Sequence, residues 1–244
     1  MVKKQFDATI TNNKKVANDL FLIEFIPEGE FSSSAGQFVS IVIPDLTMRR
    51  PFSILQQKDN IISVLFKQKG RGTEYLSSLN IGDKINFIGA MGNSFNINEQ
   101  TKNLKSLLIG AGVGVAPIFY LNKSLTNTRF ISGFQTKEEI PNFMEFDFVS
   151  TDDNQGSIIN FVDEEIKTYK PEIIYTCGPT IVMKLITQIA QKYNIPTIVS
   201  MEKLMACSIG VCRGCVIEIN ENEKIVNKAV CKDGPVFNGG DIQW

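Results

Sequence analysis

"KSLLIGAGVGVAPIFYL" (105–121) is the stretch whose reading decides the fold. KSLLIG reads as a buried strand, Gly110, Gly112 and Gly114 as a turn, and the residues after them as a helix reaching about Leu125. A strand that runs through a glycine turn into a helix opens a parallel, nucleotide-binding type of sheet. The spacing is G-x-G-x-G, not the standard G-x-G-x-x-G, so a glycine-packed turn with no ligand stands as the plainer reading. The same stretch is the most apolar in the chain, yet it is shorter than a bilayer span and is broken by glycines and a proline.

Downstream, "RFISGF" (129–134), "FDFVST" (146–151), "EIIYTC" (172–177) and "TIVS" (197–200) read as strands, with helices over 158–169 and 180–193. This alternation predicts a doubly wound parallel-sheet α/β domain over 99–200. Upstream, "FLIEFIP" (21–27), "GQFVSIVI" (36–43), "IISVLFKQ" (61–68) and "DKINFIG" (83–89) are strands bounded by Gly, Pro, Asn and Asp, with one short helix near 73–79. Residues 1–98 are therefore expected to form a small antiparallel β-barrel. Residues 201–244 fit neither rhythm and hold four of the five cysteines, which predicts a small metal-dependent subdomain.

With 43% hydrophobic and 21% charged residues, the chain has enough apolar material for real cores. A net charge of −1 and the lack of any basic block argue against a nucleic-acid partner. "MVKKQFDATI" lacks an apolar segment behind its lysines, so no secretory signal is expected and the cytoplasm is the expected location. There is no histidine. That excludes Ser–His and Cys–His nucleophile pairs, histidine-ligated zinc enzymes and Rieske-type centres. No general base placed for a carbon acid stands out, and no catalytic residue is assigned.

Cys207, Cys212, Cys215 and Cys231 are spaced C-x4-C-x2-C-x15-C. A disulfide framework does not suit a reducing compartment. Zinc is the alternative, but zinc ribbons usually present two C-x2-C pairs. Three thiols on one loop and a fourth returning later is the plant-type [2Fe–2S] arrangement. Two bridged irons need four outward thiolates, and small residues at Ser208, Gly210 and Gly214 allow backbone N–H groups to turn towards the sulfurs. Arg213, between two of the thiols, reads equally as a partner contact or a solvated charge.

Two more stretches suggest nucleotide chemistry. "RRPFSI" (49–54) is expected at the end of a barrel strand, where Arg50 offers a fork for a pyrophosphate and Ser53 a hydroxyl for a flavin edge. "KGRGTEYL" (69–76) leads through two glycines and Thr73 into the short helix, whose first N–H groups suit a phosphate. A strand-end turn and an ordinary capped helix are the plain readings. "SGFQTKEE" has no acid in the usual ribose position, leaving NAD and NADP open, and Cys177 in "TCGP" reads first as a small buried residue.

Taken together, R-x-[FY]-S, the glycine turn, C-G-P and the cysteine segment resemble the ferredoxin-reductase-like flavoproteins. "MEKLMACSIGVCRGCVIEI" and "VCKDGPVF" are similar, more narrowly, to the electron-transfer subunits of bacterial type B dihydroorotate dehydrogenase, over the whole chain. Two departures are Ser208, where that family commonly has glycine, and "GRGT", where "GKGT" is frequent. The resemblance implies [2Fe–2S] ligation by Cys207, Cys212, Cys215 and Cys231. It implies FAD contacts at Arg50, Pro51, Phe52, Ser53, Leu65, Phe66, Lys67, Gly72 and Thr73. Gly110, Gly112, Gly114, Cys177, Gly178 and Pro179 would flank NAD. It further implies a catalytic partner bearing FMN that oxidises dihydroorotate for pyrimidine biosynthesis, in a heterotetramer with two of each subunit. Electrons would pass from that FMN through the cluster and FAD to NAD⁺. A reductase subunit of a hydrogenase, sulfite reductase or ferredoxin–NADP transhydrogenase complex is the first alternative, and a zinc-stabilised binding module without nucleotide the second.

Overall fold

The computed structural model describes residues 4–244. The first part holds β1 (Lys4–Ala17), β2 (Leu20–Pro27), β3 (Phe38–Ile41), β4 (Arg50–Lys58), β5 (Ile61–Lys67), helix α1 (Arg71–Ser78) and β6 (Lys84–Met91). The six strands close into a barrel in the order β1-β2-β5-β4-β3-β6. Closure pairs every strand on both sides and leaves no open edge. The interior is apolar: Ile10, Ile23, Phe25, Ile54, Val64 and Phe87 are wholly buried.

Two of these strands differ from the sequence expectation. β1 is not among the strands expected from the sequence, because only Ala8, Ile10 and Val16 of its fourteen residues are buried and the period-2 signal is faint. "RRPFSI" opens β4 and does not end a strand. Pro51 is tolerated there because it faces Ser40 of β3, while pairing to β5 starts only at Ile54.

The second part runs β7 (Ser106–Ala111), α2 (Val115–Asn122), β8 (Thr128–Phe134), β9 (Phe148–Thr151), α3 (Ile159–Tyr169), β10 (Ile173–Cys177), α4 (Thr180–Lys192) and β11 (Thr197–Ser200). These strands are parallel in the order β9-β8-β7-β10-β11, so the winding reverses between β7 and β10. Strand alternation separates the two faces. Leu107 and Ile109 meet α3 and α4 through Val162, Ile166 and Ile186, while Leu108 joins Val115 and Ile118 of α2. Helix α2 is apolar nearly all round because it is covered twice, by the sheet and by barrel residues Leu20, Leu55 and Leu65. That double burial explains why residues 107–121 are the most apolar stretch of the sequence. Among the described residues, no helix is long and apolar enough to cross a membrane.

The cysteine tail carries a hairpin, β12 (Val216–Glu221) and β13 (Lys224–Ala229), turning through Asn222 and Glu223 at φ 51° and 64°. Two left-handed residues give the turn whose twist matches an antiparallel pair. A single helical turn, α5 (Val230–Asp233), follows, and then β14 (Val236–Asn238). β14 pairs antiparallel with β11 and becomes the sixth strand of the parallel sheet. The tail was expected to follow neither rhythm of the chain. A three-residue strand is too short to show a pattern, and its pairing is visible only in space.

Candidate functional site

The carboxyl ends of β7 and β10 face barrel strands β4 and β5 across a cleft of about 290 Å³. Pro51, Phe52 and Ser53 come from β4, Leu65, Phe66 and Lys67 from β5, and Thr73 from α1. Opposite them stand Val113, Gly114 and Cys177. The fold thus brings barrel and sheet residues that are far apart in sequence to one flat, largely apolar space.

A second hollow, about 440 Å³, continues past Pro51 and Phe52 to Arg50, Lys69, Arg71, Gly72 and Thr73. Helix α1 starts at Gly70, φ 104°, and no side chain caps it. Its first N–H groups are therefore open to an anion, with the helix dipole behind them. Thr73 does not cap; its Oγ1 accepts from the Lys69 amide at 2.7 Å and donates to the Gly70 carbonyl at 3.0 Å, holding the loop's shape. A Cβ on Gly72 would meet Arg50 Cγ at 3.4 Å, an ordinary contact distance, so Arg50 packs directly against the first turn of the helix. Three cations and an uncapped helix beside an apolar slot fit the pyrophosphate and the ring system of a flavin dinucleotide.

On the sheet side a groove of about 580 Å³ runs along Ala111, Gly112, Val113, Phe134, Gln135 and Pro179. The three glycines serve differently. Gly110 is buried within β7, where a Cβ would press on Val115 at 2.8 Å, so it belongs to the core and not to the groove wall. Gly112 adopts φ 55° and opens on the groove. Gly114 lies so close to the Cys177 carbonyl that no side chain fits. Gly178 and Pro179 follow at the end of β10, where a Cβ on Gly178 would meet that of Ala111 at 2.7 Å. Lys67 spans cleft and groove, but its ammonium is answered by Glu139 at 2.6 Å. Burial first, and then the Glu202 carboxylate, push the Cys177 thiol up to about 12. It is a neutral wall residue, not a nucleophile.

The four tail thiols form two couples. Cys212 donates its amide to Cys207 Sγ at 3.4 Å, and Cys231 donates its amide to Cys215 Sγ at 3.4 Å. Ile209 also donates to Cys207 Sγ, and Gly214 to Cys212 Sγ. Ser208 and Arg213 adopt φ 59° and 53°, and each turns the following amide inward. Burial disfavours a thiolate at Cys207, but the amides of Cys212, Ile209 and Val211 outweigh it and lower its pKa to about 6. Burial, with the neighbouring Cys215, pushes Cys231 up to about 12. Crowded sulfurs with inward amides suit a cationic iron–sulfur group, whose charge reverses the penalty at Cys231. Among the described residues, no three of the Cys, Asp and Glu side chains gather as ligands of one ion.

The couples lie next to the flavin-type cleft. Phe38, Met201 and Met205 wall that cleft and also pack in one apolar cluster with Cys215 and Cys231. Sequence reasoning did not single out these three, nor Val113, Glu202 or Lys69. Phe38 looks like any buried aromatic, and only the run "MEKLMAC" just before Cys207 carried a usable signal.

The iron–sulfur cluster binding domain of dihydroorotate dehydrogenase B matches residues 202–243. A "Dihydroorotate dehydrogenase B (NAD(+)), electron transfer subunit" of Clostridium acetobutylicum is 32% identical, over 99% of this chain and 98% of that one. The protein of the same name from Caldanaerobacter subterraneus is 31% identical over 94% and 95%. Among solved structures, an NADH-dependent reduced ferredoxin–NADP oxidoreductase, described for flavin-based electron bifurcation, superposes with a TM-score of 0.83. It is 27% identical, over 97% of this chain and 90% of its own. A ferredoxin reductase of carbazole 1,9a-dioxygenase shares the fold, with a TM-score of 0.69 over 80% and 68%.

Proposed function

Because the chain belongs to the family of dihydroorotate dehydrogenase B electron-transfer subunits, we propose that it connects an FMN-bearing, dihydroorotate-oxidising partner to NAD⁺ in pyrimidine synthesis. Cys207, Cys212, Cys215 and Cys231 hold a [2Fe–2S] cluster, and Arg50, Pro51, Phe52, Ser53, Leu65, Phe66, Gly72 and Thr73 hold FAD. These two groups, when bound, supply the exchange between single electrons and hydride that no side chain of this protein performs.

The chain's own work is placement. Arg50 and the open start of α1 anchor the pyrophosphate, and β4 and β5 present a flat apolar slot to the ring. Gly112, Gly114, Cys177, Gly178 and Pro179 form the opposite wall, leaving room for a nicotinamide. Lys67 contributes its strand position more than its charge, which Glu139 neutralises. The observation that carries this reading is the shared wall: Phe38, Met201 and Met205 touch both the cleft and the packing around Cys215 and Cys231.

The partner face is the exposed side of the thiol loop. Leu204 and Val211 are 91% and 75% exposed, and Arg213, two residues past Val211, is exposed as well. Large apolar side chains left in solvent around a redox loop suit a partner surface. Two copies of each subunit would complete the complex.

Anaerobic purification with the candidate catalytic subunit tests this reading. Two irons, two acid-labile sulfides and one FAD per chain are expected, with FMN on the partner. Colourless protein holding zinc would overturn it. The likeness to the ferredoxin–NADP oxidoreductase favours, as second reading, a subunit of that type of complex. Failure to co-purify with a dihydroorotate-oxidising chain would select it.

A further inference from the structure

Ser40 and Ser208 are 168 residues apart, and Ser40 Oγ donates to Ser208 Oγ at 3.0 Å. Both are buried, at 0% and 1% exposure. Ser208 follows Cys207 and holds φ 59°, a conformation that residues other than glycine rarely adopt and that turns the Ile209 amide to Cys207 Sγ. Ser40 sits in β3 opposite Pro51, the residue that leads β4 into the flavin-type cleft. On its other side, Arg49 reaches the Ser40 carbonyl at 3.5 Å and Asn86 Oδ1 at 3.0 Å, fixing that piece of barrel.

We infer that the Ser40–Ser208 hydrogen bond is a positioning contact that fixes the Cys207 end of the thiol loop against the strand pair lining the flavin cleft. The inference rests on the proposed function. Cys215 is tied directionally within the tail, its carbonyl and Sγ accepting from the Val230 and Cys231 amides, whereas the buried Ser40–Ser208 pair joins the Cys207 end of the loop to barrel strand β3 in one register. The stretch between them, Cys212 to Gly214, is exposed. Ser40 and Ser208 therefore set the separation and orientation between the two redox groups without touching either substrate.

The test uses the FAD- and cluster-loaded protein with S208G, S40A and the double variant. Glycine suits φ 59°, so S208G removes the hydroxyl without straining the loop. Iron, labile sulfide and FAD should stay at wild-type content, and NADH oxidation with ferricyanide as acceptor should be unchanged. Stopped-flow reduction of the cluster by NADH should slow about tenfold, as expected for a small misplacement of reacting groups. The cluster's electron paramagnetic resonance signal should broaden. The double variant should be no slower than either single one, because both remove the same bond. Wild-type cluster reduction in S208G with full iron content would overturn the inference, as would single effects that multiply in the double variant. If S40A alone loses its cluster, S208G decides. Wild-type protein without labile sulfide would instead sink the functional reading.

Discussion

Cys177 and Cys207 carry the same thiol, and their surroundings drive it in opposite directions. Burial pushes Cys177 up to about 12, while inward amides bring Cys207 to about 6. At pH 8 about one Cys177 in 10⁴ is a thiolate, so iodoacetamide should spare it while labelling Cys207 in protein stripped of iron; peptide mass spectrometry reads the difference. The raised Cys177 value also fixes a sign. Its contribution to stability is complete below the ordinary thiol pKa of about 8.5 and is lost as the pH climbs towards about 12. Cys177→Ala should flatten the alkaline limb of a denaturant-midpoint profile above about pH 8.5. Arg50→Ala should weaken FAD binding roughly ten- to a hundredfold, the range for one charge-assisted hydrogen bond, measured by flavin fluorescence on titration. Unchanged flavin affinity would remove Arg50 from the site.

At the scale of elements, the turn between β7 and α2 is a close approach, not only a flexible loop. Gly114→Ala would set a methyl against the Cys177 carbonyl, forcing the end of β10 away from the turn. NADH KM should rise by about tenfold or more while FAD content holds, since the displacement falls on the sheet wall alone; steady-state kinetics with an artificial acceptor measure it. Most elements were legible for a physical reason: KSLLIG and EIIYTC are unbroken apolar runs, as fully buried parallel strands are, and the helices around 158–169 and 180–193 have apolar periodicity. β1 was not, because its fourteen residues bury three side chains. The four thiols and Arg50 were readable because rare residue types at fixed spacing are visible in the sequence without a fold. Phe38, Met201 and Met205 were not, because a wall shared by two sites is made of ordinary core residues and is defined only by packing. Gly110, by the same measure, reads like its neighbours Gly112 and Gly114 in sequence and yet lies in the core.

Over the whole molecule, barrel and sheet are joined by the double burial of α2 and by a few polar ties across the cleft. Lys67–Glu139 is one, at 2.6 Å and partly exposed. Glu139→Ala should cost about 1 kcal/mol or less in stability, as partly solvated pairs do. NADH KM, measured with an artificial acceptor, should fall and not rise, because the change removes a carboxylate and frees the Lys67 ammonium beside the groove for an anionic dinucleotide. The tail is tied more firmly. Asn93, just past the barrel's last strand, donates to the Val236 carbonyl at 2.8 Å and accepts from the Val236 amide at 2.8 Å, while the Met201 amide donates to the Pro235 carbonyl. β14 then adds itself to the sheet edge beside β11. Cutting the thiol segment away would leave that edge bare and the Asn93 amide unanswered. The metal-bearing end is thus no interchangeable cartridge, and lineages that gain or shed it must remodel the rim of the neighbouring domain in the same step.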